Sequence, residues 1–370
     1  MSNKKTKAKQ NQRRTSVLTT LLLLLLTLIL LITSTYAWFT ANQIVSINQI
    51  DVNVAATNGL EISTDAEEWK TSITKADINA AITKSNNMNQ LPAVIVPCST
   101  AGDIDSSNAG HLKMFKGLVN ANLNTSGYYI TSEAVTEDNL GTDSTKPYIA
   151  FDFYLKYEGT TGVSKPVYLD YPGCYVEHLV KDPLTNALTI DRDGSVGLEN
   201  AARVAFVLQG SVAVNSDGAT ARAISGTTSQ SNTYLWEPNN DTHTTAAIAN
   251  APEFFGINDL SATYSPITYE GMYAVIPEAN HDVDLTTCTS DDYPEFFKAL
   301  TFGNKLSTYK DYLYHGNNGN GKSLQIFTFE PAIYKLRCYM WVEGQDVDCE
   351  DHASGTDIMY NVQFTIKQQD

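Results

Sequence analysis

The sequence predicts an all-β-dominated chain: an antiparallel β sandwich with long insertions and a few short helices, preceded by an apolar N-terminal helix. Three observations carry that expectation. Segments in which apolar and polar residues alternate recur along the chain, which is the period of a strand with one buried face. Clusters of Gly, Asn and Asp separate them, as antiparallel turns require. The 20 Tyr and 13 Phe suit half-buried pleated surfaces.

The chain opens with a basic flank, residues 1–16, that carries Lys4, Lys5, Lys7, Lys9, Arg13 and Arg14. The run VLTTLLLLLLTLILLIT, Val17 to Thr33, follows without a charge, Gly or Pro. A basic flank before an apolar run marks an export signal or a signal anchor, with the cations held in the cytoplasm. Thr35 and Ala37, in STYAWFT, are small enough for the −3 and −1 positions of a cleavage site, which would leave Trp38 as the mature N-terminus. The run is longer than the usual signal core of roughly 7 to 15 residues and reaches the lower limit for spanning a bilayer. Residues 1–37 therefore read as a cleaved signal peptide or as a retained membrane anchor, and signal peptidase and membrane as partners. Either way residues 38–370 form the exported domain.

NQIVSINQIDVNVA, residues 42–55, is β-patterned, free of Pro and nearly uncharged, with Ile44, Ile47, Ile50, Val52 and Val54 as its apolar positions. Such a strand can add to the sheet of another copy, giving a homo-oligomer or fibre, or fold back into its own sheet. In TKADINAAITKSNNM, Ile78, Ala81 and Ile82 have helical spacing, with Thr74 as a cap three residues before Asp77. Further strands are read at YIAFDFYLKY (Ile149, Phe151, Phe153, Leu155 inward), VYLDY and RVAFVLQGSVAV (Val204, Phe206, Leu208). A second helix is read over 291–306, with Pro294 in its first turn and Gly303 as its stop. Near the end YKLRCYMWV alternates Leu336, Cys338 and Met340 with Lys335, Arg337 and Tyr339, and IMYNVQFTI alternates in the same way from Ile358 to Ile366. Polar stretches at 65–147 and 215–323 read as long insertions into one domain.

Charge and compartment exclude several functions. Against 41 acidic residues stand 25 basic ones, a formal charge of −16, which disfavours nucleic acid because phosphates would be repelled. GNNGNGKS, residues 316–323, fits the fixed positions of a phosphate-binding loop, but LQIFTFEP after it reads as a strand where a helix is needed. No nucleotide is expected. The six His residues form no HExxH pattern, no G-x-S-x-G elbow occurs, and Glu177 beside His178 would point to the opposite strand face, so no catalytic residue is assigned.

EGQDVDCED, residues 343–351, gathers Glu343, Asp346, Asp348, Glu350 and Asp351, and Glu343, Asp346 and Asp348 are the candidate metal ligands, with calcium the cation that oxygen clusters favour. DRDG, residues 191–194, is a lesser candidate. Neither completes a calcium-loop frame, so a solvated acidic turn is the alternative. Of the five cysteines, Cys338 and Cys349 are the short-range candidates for a disulfide; buried reduced thiols are the alternative reading.

The basic N-terminus, the apolar run, TYAWFT, FDFYLKY, ARVAF and IFTFEPAIYKLRCYMWVEGQDVDC together resemble the TasA/camelysin family of Gram-positive secreted surface proteins, which carry a specialised signal peptide. The resemblance covers the signal region and scattered framework, and WVEGQDVDC is its most distinctive piece. It implies a jelly-roll-like sandwich, a cell-surface or extracellular-matrix role, and assembly through the strand that follows the signal, here Trp38 to Ala55. The sequence thus points to a structural or adhesive surface protein without catalytic activity. The alternative is a metal-dependent carbohydrate binder or hydrolase with its site in the insertions.

Overall fold

Val45, Ile47, Ile50, Val52 and Val54 are all buried on strand β1 (Val45–Val54), although their spacing is not uniformly two. A register shift between Ile47 and Gln49 reconciles them, because one extra residue lets both Ile47 and Ile50 face inward. The Lys75 ammonium donates to the Ile47 carbonyl beside this bulge. Ile44, 44% exposed, is not part of the buried set; Val45 takes its place.

The computed structural model describes residues 44–55, 59–121, 128–137, 145–170, 172–191, 197–239, 242–249, 283–284, 312–314, 323–344, 346, 348–349 and 356–366. Residues 1–43, with the cleavage positions Thr35, Ala37 and Trp38, lie outside them, as do the helix expected over 291–306 and residues 316–322 of the glycine-rich loop. Among the described residues no helix is long and apolar enough to cross a membrane. Strands make up 51% of the structure and helices 10%, so the β-dominated class is the one adopted.

Two large sheets enclose the main core. In the first, nine-stranded sheet, β1 is flanked by β20 (Thr356–Thr365) and by the short β3 (Ser72–Thr74) and β5 (Val94–Ile95), and β5 pairs with β9 (Thr145–Lys146). Beyond β20 lie β12 (Tyr175–Lys181) and the edge strand β13 (Leu188–Asp191), and β11 (Lys165–Leu169) links the end of β20 to β18 (Leu324–Phe329). The β1–β20 pair is parallel, with Val45 opposite Thr356 and Val54 opposite Phe364. An antiparallel sandwich was expected; the sheets are mixed, because the first and last strands run side by side in one direction.

The second, seven-stranded sheet is built around β19 (Ala332–Val342). On one side come β14 (Ala202–Val212), β15 (Thr233–Glu237) and β17 (Tyr312–Tyr314). On the other come β10 (Ile149–Tyr157), then β2 (Leu60–Ser63) and β4 (Asn89–Gln90). Leu336, Cys338 and Met340 of β19 face the same core as Phe151 and Phe153 of β10, Phe206 of β14 and Phe364 of β20. Phe364 stacks on Phe153 and meets Phe206 edge-on, at centroid distances of 5.7 and 5.3 Å.

The residues of β19 expected to face solvent do not. Every residue of the strand is buried, because its outer face is covered as well. A four-stranded sheet of β6 (Ser99–Ile104), β7 (Leu112–Ala121), β8 (Tyr128–Val135) and β16 (Val283–Asp284) supplies Ile104, Leu112 and Met114, which pack on Tyr148, Ala150, Ala205, Val207, Tyr339 and Trp341. Further along, helix α2 (Gly218–Arg222) places Ala221 on Tyr154 and Ile333. The segment 65–147 therefore supplies edge strands and three of the four strands of a third layer, and 215–323 supplies its fourth strand β16 together with α2, β15 and β17. Helix α1 (Lys75–Ala80) starts where expected, with Thr74 and Asp77 exchanging the two hydrogen bonds of a capping box, but it ends before Ala81 and Ile82, which lie in a 3-10 turn.

Ser323 leads directly into strand β18, so the helix that a phosphate loop needs is replaced by a strand. Its hydroxyl donates to Asp170 Oδ1 at 3.1 Å.

Candidate functional site

Arg203 stands out within the apolar pattern RVAFVL near the start of β14, opposite Trp341 of β19. Its side chain is fully enclosed, a position at which an unpaired guanidinium would cost several kcal/mol. The fold compensates it closely. Nη1 donates to the carbonyls of Asn200 and Ala202, at 2.9 and 3.0 Å. Nη2 reaches Asp346 Oδ2 and lies 2.5 Å from Glu237 Oε1 at the end of β15.

Asp346 belongs to a tight turn that follows β19. The turn is anchored by Glu343 N–H to Ala201 O, 2.8 Å, and Gly344 N–H to Cys98 O, 2.9 Å. Within it Asp346 N–H donates to Glu343 O, Cys349 N–H to Asp346 O and Asp348 N–H to Asp346 Oδ1, at 3.1, 3.0 and 2.9 Å. Asp348 then meets the segment after β15. Its Oδ1 accepts from Thr244 N–H at 2.8 Å, and its Oδ2 lies 2.6 Å from His243 Nδ1. Thr244 in turn caps the helical turn at 245–249 through its Oγ1, which accepts from Ala247 N–H at 3.0 Å.

His243, Asp346 and Asp348 each offer a ligand atom within 4.8 Å of the other two, and all three residues are buried. Glu343, Asp346 and Asp348 are thus not solvated, while Glu350 and Asp351 lie outside the described residues. Asp346 and Asp348, expected as ligands, are brought together, whereas Glu343 is outside the group and its Oε2 accepts from Trp341 Nε1 at 3.3 Å. Burial and the charge of Asp346 raise the Asp348 carboxyl above the usual range, against the pull of His243. For His243 burial acts downward, but the hydrogen bond and charge of Asp348, with Asp346 and Glu237 behind it, outweigh burial and raise it.

Glu199, in the turn before β14, completes the surroundings. It is 8% exposed, and its Oε2 has no hydrogen-bond partner. Desolvation, with Asp348, Glu177 and Asp191 as neighbouring charges, pushes its carboxyl up to about 7. Gly197 in the same turn has φ +78°, and a Cβ there would fall 2.2 Å from Thr244 Cγ2 and 3.2 Å from Asp348 Oδ1. The sequence signalled Asp346 and Asp348 by their clustering. It gave no spacing signal for His243, Glu237 or Glu199, which lie more than a hundred positions upstream; a lone Arg in an apolar strand was the available hint.

The remaining candidates are placed elsewhere. His178 on β12 pairs with Asp191 of β13, Nδ1 to Oδ2 3.6 Å, and so meets the first residue of DRDG rather than Glu177; residues 192–194 lie outside the described set. Cys338 and Cys349 are not bridged. Cys338 projects from mid-β19 into the sandwich core, Cys349 follows the acidic turn, and both, with Cys98 and Cys174, are buried. The expected assembly strand lies inside the first sheet.

A second buried charge network sits under the outer four-stranded sheet. Arg337 of β19 holds Asp152 of β10, Lys335 Nζ lies 3.3 Å from the same carboxylate, and Arg337 Nη1 donates to His111 Nε2 at 2.8 Å. Since Nε2 accepts, Nδ1 carries the proton donated to Glu137 Oε2, 2.8 Å away. Tyr339 donates to the other Glu137 oxygen. Compared with known proteins, the chain matches no family model, no curated relative and no solved structure.

Proposed function

We propose that the protein is an exported structural or adhesive component of the cell surface or extracellular matrix, of the TasA/camelysin kind, with a jelly-roll-like sandwich and no catalytic role. The observation that carries this reading is the position of β1. It is the first described strand after the basic and apolar leader, and its neighbours β20, β3 and β5 all come from elsewhere in the chain. Its five buried apolar residues fill a slot that an identical strand from another copy would fill equally well, which is the requirement for assembly by strand donation. A second feature favours adhesion. The sheet that holds β1 ends at β13, where Leu188 and Ile190, with Val180 and Leu184 nearby, are exposed as an apolar edge. Metal-dependent sugar binding is disfavoured, because the His243, Asp346 and Asp348 side chains are at most 5% exposed and offer no open face to a saccharide.

Electron microscopy of purified residues 38–370, with and without residues 38–55, tests the reading together with a cysteine pair. Asp51 and Asn361 are opposite one another across β1 and β20, so Asp51→Cys with Asn361→Cys reports whose β1 occupies the slot. Fibres that give a ladder of covalent oligomers on a non-reducing gel are expected. Fibres from both forms, or from neither, or fibres whose cysteines close only within one chain, would defeat strand donation.

A further inference from the structure

We propose that His243, Asp346 and Asp348 form a site for one divalent transition cation, best matched by Zn²⁺, which clamps the segment after β15 to the turn after β19. The inference does not depend on strand donation.

The donor set favours this class of ion. One imidazole nitrogen and two carboxylates suit Zn²⁺ or a similar borderline cation, whereas Ca²⁺ seeks six to eight oxygens and would leave the imidazole idle. The dimensions also agree. Ligand atoms each about 2.0–2.1 Å from a tetrahedral ion lie about 3.3–3.4 Å apart. The three donors already lie within 4.8 Å of one another, and the closest pair, His243 Nδ1 and Asp348 Oδ2 at 2.6 Å, needs to open by less than about 1 Å.

The outer partners hold the ligands as metal sites require. Arg203 fixes Asp346 through Oδ2, and the Thr244 N–H fixes Asp348 through Oδ1, so each carboxylate keeps an anchored geometry with lone pairs to spare. Charge points the same way. Three buried carboxylates, Glu237, Asp346 and Asp348, face Arg203 and His243, which bring at most two positive charges. An enclosed excess of anions is costly unless neutralised, and a dication neutralises it without adding a side chain.

The independent observation is Glu199. Its carboxyl oxygen Oε2 is buried with no partner, and Asp348 is the first of the neighbouring charges that act on it. Buried carboxyl oxygens are rarely left unpaired, and a cation held by Asp348 would give this one a counter-charge, reached through a bound water.

The test uses residues 38–370 stripped with EDTA. Co²⁺ is titrated as a spectroscopic probe, Zn²⁺ and Ca²⁺ compete, and the melting temperature is read in each state. One Co²⁺ per chain with visible absorption of a four- or five-coordinate site is expected, displaced by Zn²⁺ but not by Ca²⁺, with a higher melting temperature when loaded. His243→Gln and Asp348→Asn should weaken binding at least tenfold, and Asp191→Asn should not. If the two site variants fail to fold, the wild-type titration decides. An unchanged spectrum with an unchanged melting temperature, a preference for Ca²⁺, or full binding in folded His243→Gln would each overturn the proposal.

Discussion

Asp152 and Arg337 are direct cross-strand partners on β10 and β19, and they meet through two hydrogen bonds, Nε to Oδ1 at 2.7 Å and Nη2 to Oδ2 at 3.1 Å. Both belong to the outer face of the second sheet, which a simple two-layer sandwich would leave wet. The third layer encloses them, so their pairing becomes a condition of folding rather than surface decoration.

Asp152→Asn should therefore cost about 3–5 kcal/mol, since it strands both Arg337 and Lys335 without their shared anion. Urea denaturation reads this as a lower midpoint at unchanged slope. Exposed pairs such as Lys70 with Asp77, 2.6 Å apart, should give far less on neutralisation.

The same carboxylate sets an acid limit. Burial acts to raise Asp152, but Arg337 and Lys335 with their hydrogen bonds more than offset it, and it titrates below its ordinary range. Its contribution is complete above the unfolded value of about 3.9 and is lost as pH falls through the lower folded value. Stability should fall below about pH 4, and Asp152→Asn should flatten that part of the profile when both are followed by urea midpoint against pH.

The four buried cysteines are 2% exposed or less, and burial pushes Cys174 up to about 12 and raises Cys98 and Cys338 as well. Native protein treated with a maleimide should label at no more than one of its five cysteines, and denatured protein at all five. A Cys338–Cys349 disulfide would leave three, which mass spectrometry distinguishes.

Gly197→Ala should lower the melting temperature. The new methyl must occupy a positive φ and displace Thr244, and strain of this sort costs about 1–3 kcal/mol. Gly162, with φ +79° but nothing within 4 Å of a Cβ, is the control that isolates the backbone contribution.

The apolar edge at β13 should govern self-association. Leu188→Lys with Ile190→Lys places charge at positions 40% and 41% exposed. Sedimentation should show weaker association by tenfold or more, with an unchanged melting temperature, because exposed positions contribute little to folding.

The strands were legible because their patterns are local. Phe151 and Phe153, Val204 and Phe206, and Tyr360 and Phe364 announce a buried face by spacing alone, and Thr74 with Asp77 announces a helix start. The third layer was not legible, since Lys335, Arg337 and Tyr339 look like a solvent face until a second sheet covers them. The acidic turn was visible as composition, but its burial depends on Arg203, Glu237 and His243, residues brought together only by the register of β14, β15 and β19. Parallel pairing of β1 with β20 left no local trace either, because it joins strands from the two ends of the chain.

That pairing gives the domain a mechanical polarity. Val45 lies beside Thr356 and Val54 beside Phe364, so tension applied at the start of β1 and at the end of β20 drags the two strands past each other lengthwise. The load then falls on the whole ladder of hydrogen bonds at once instead of opening them one by one. A chain held at one end and pulled at the other would meet that force with its strongest geometry.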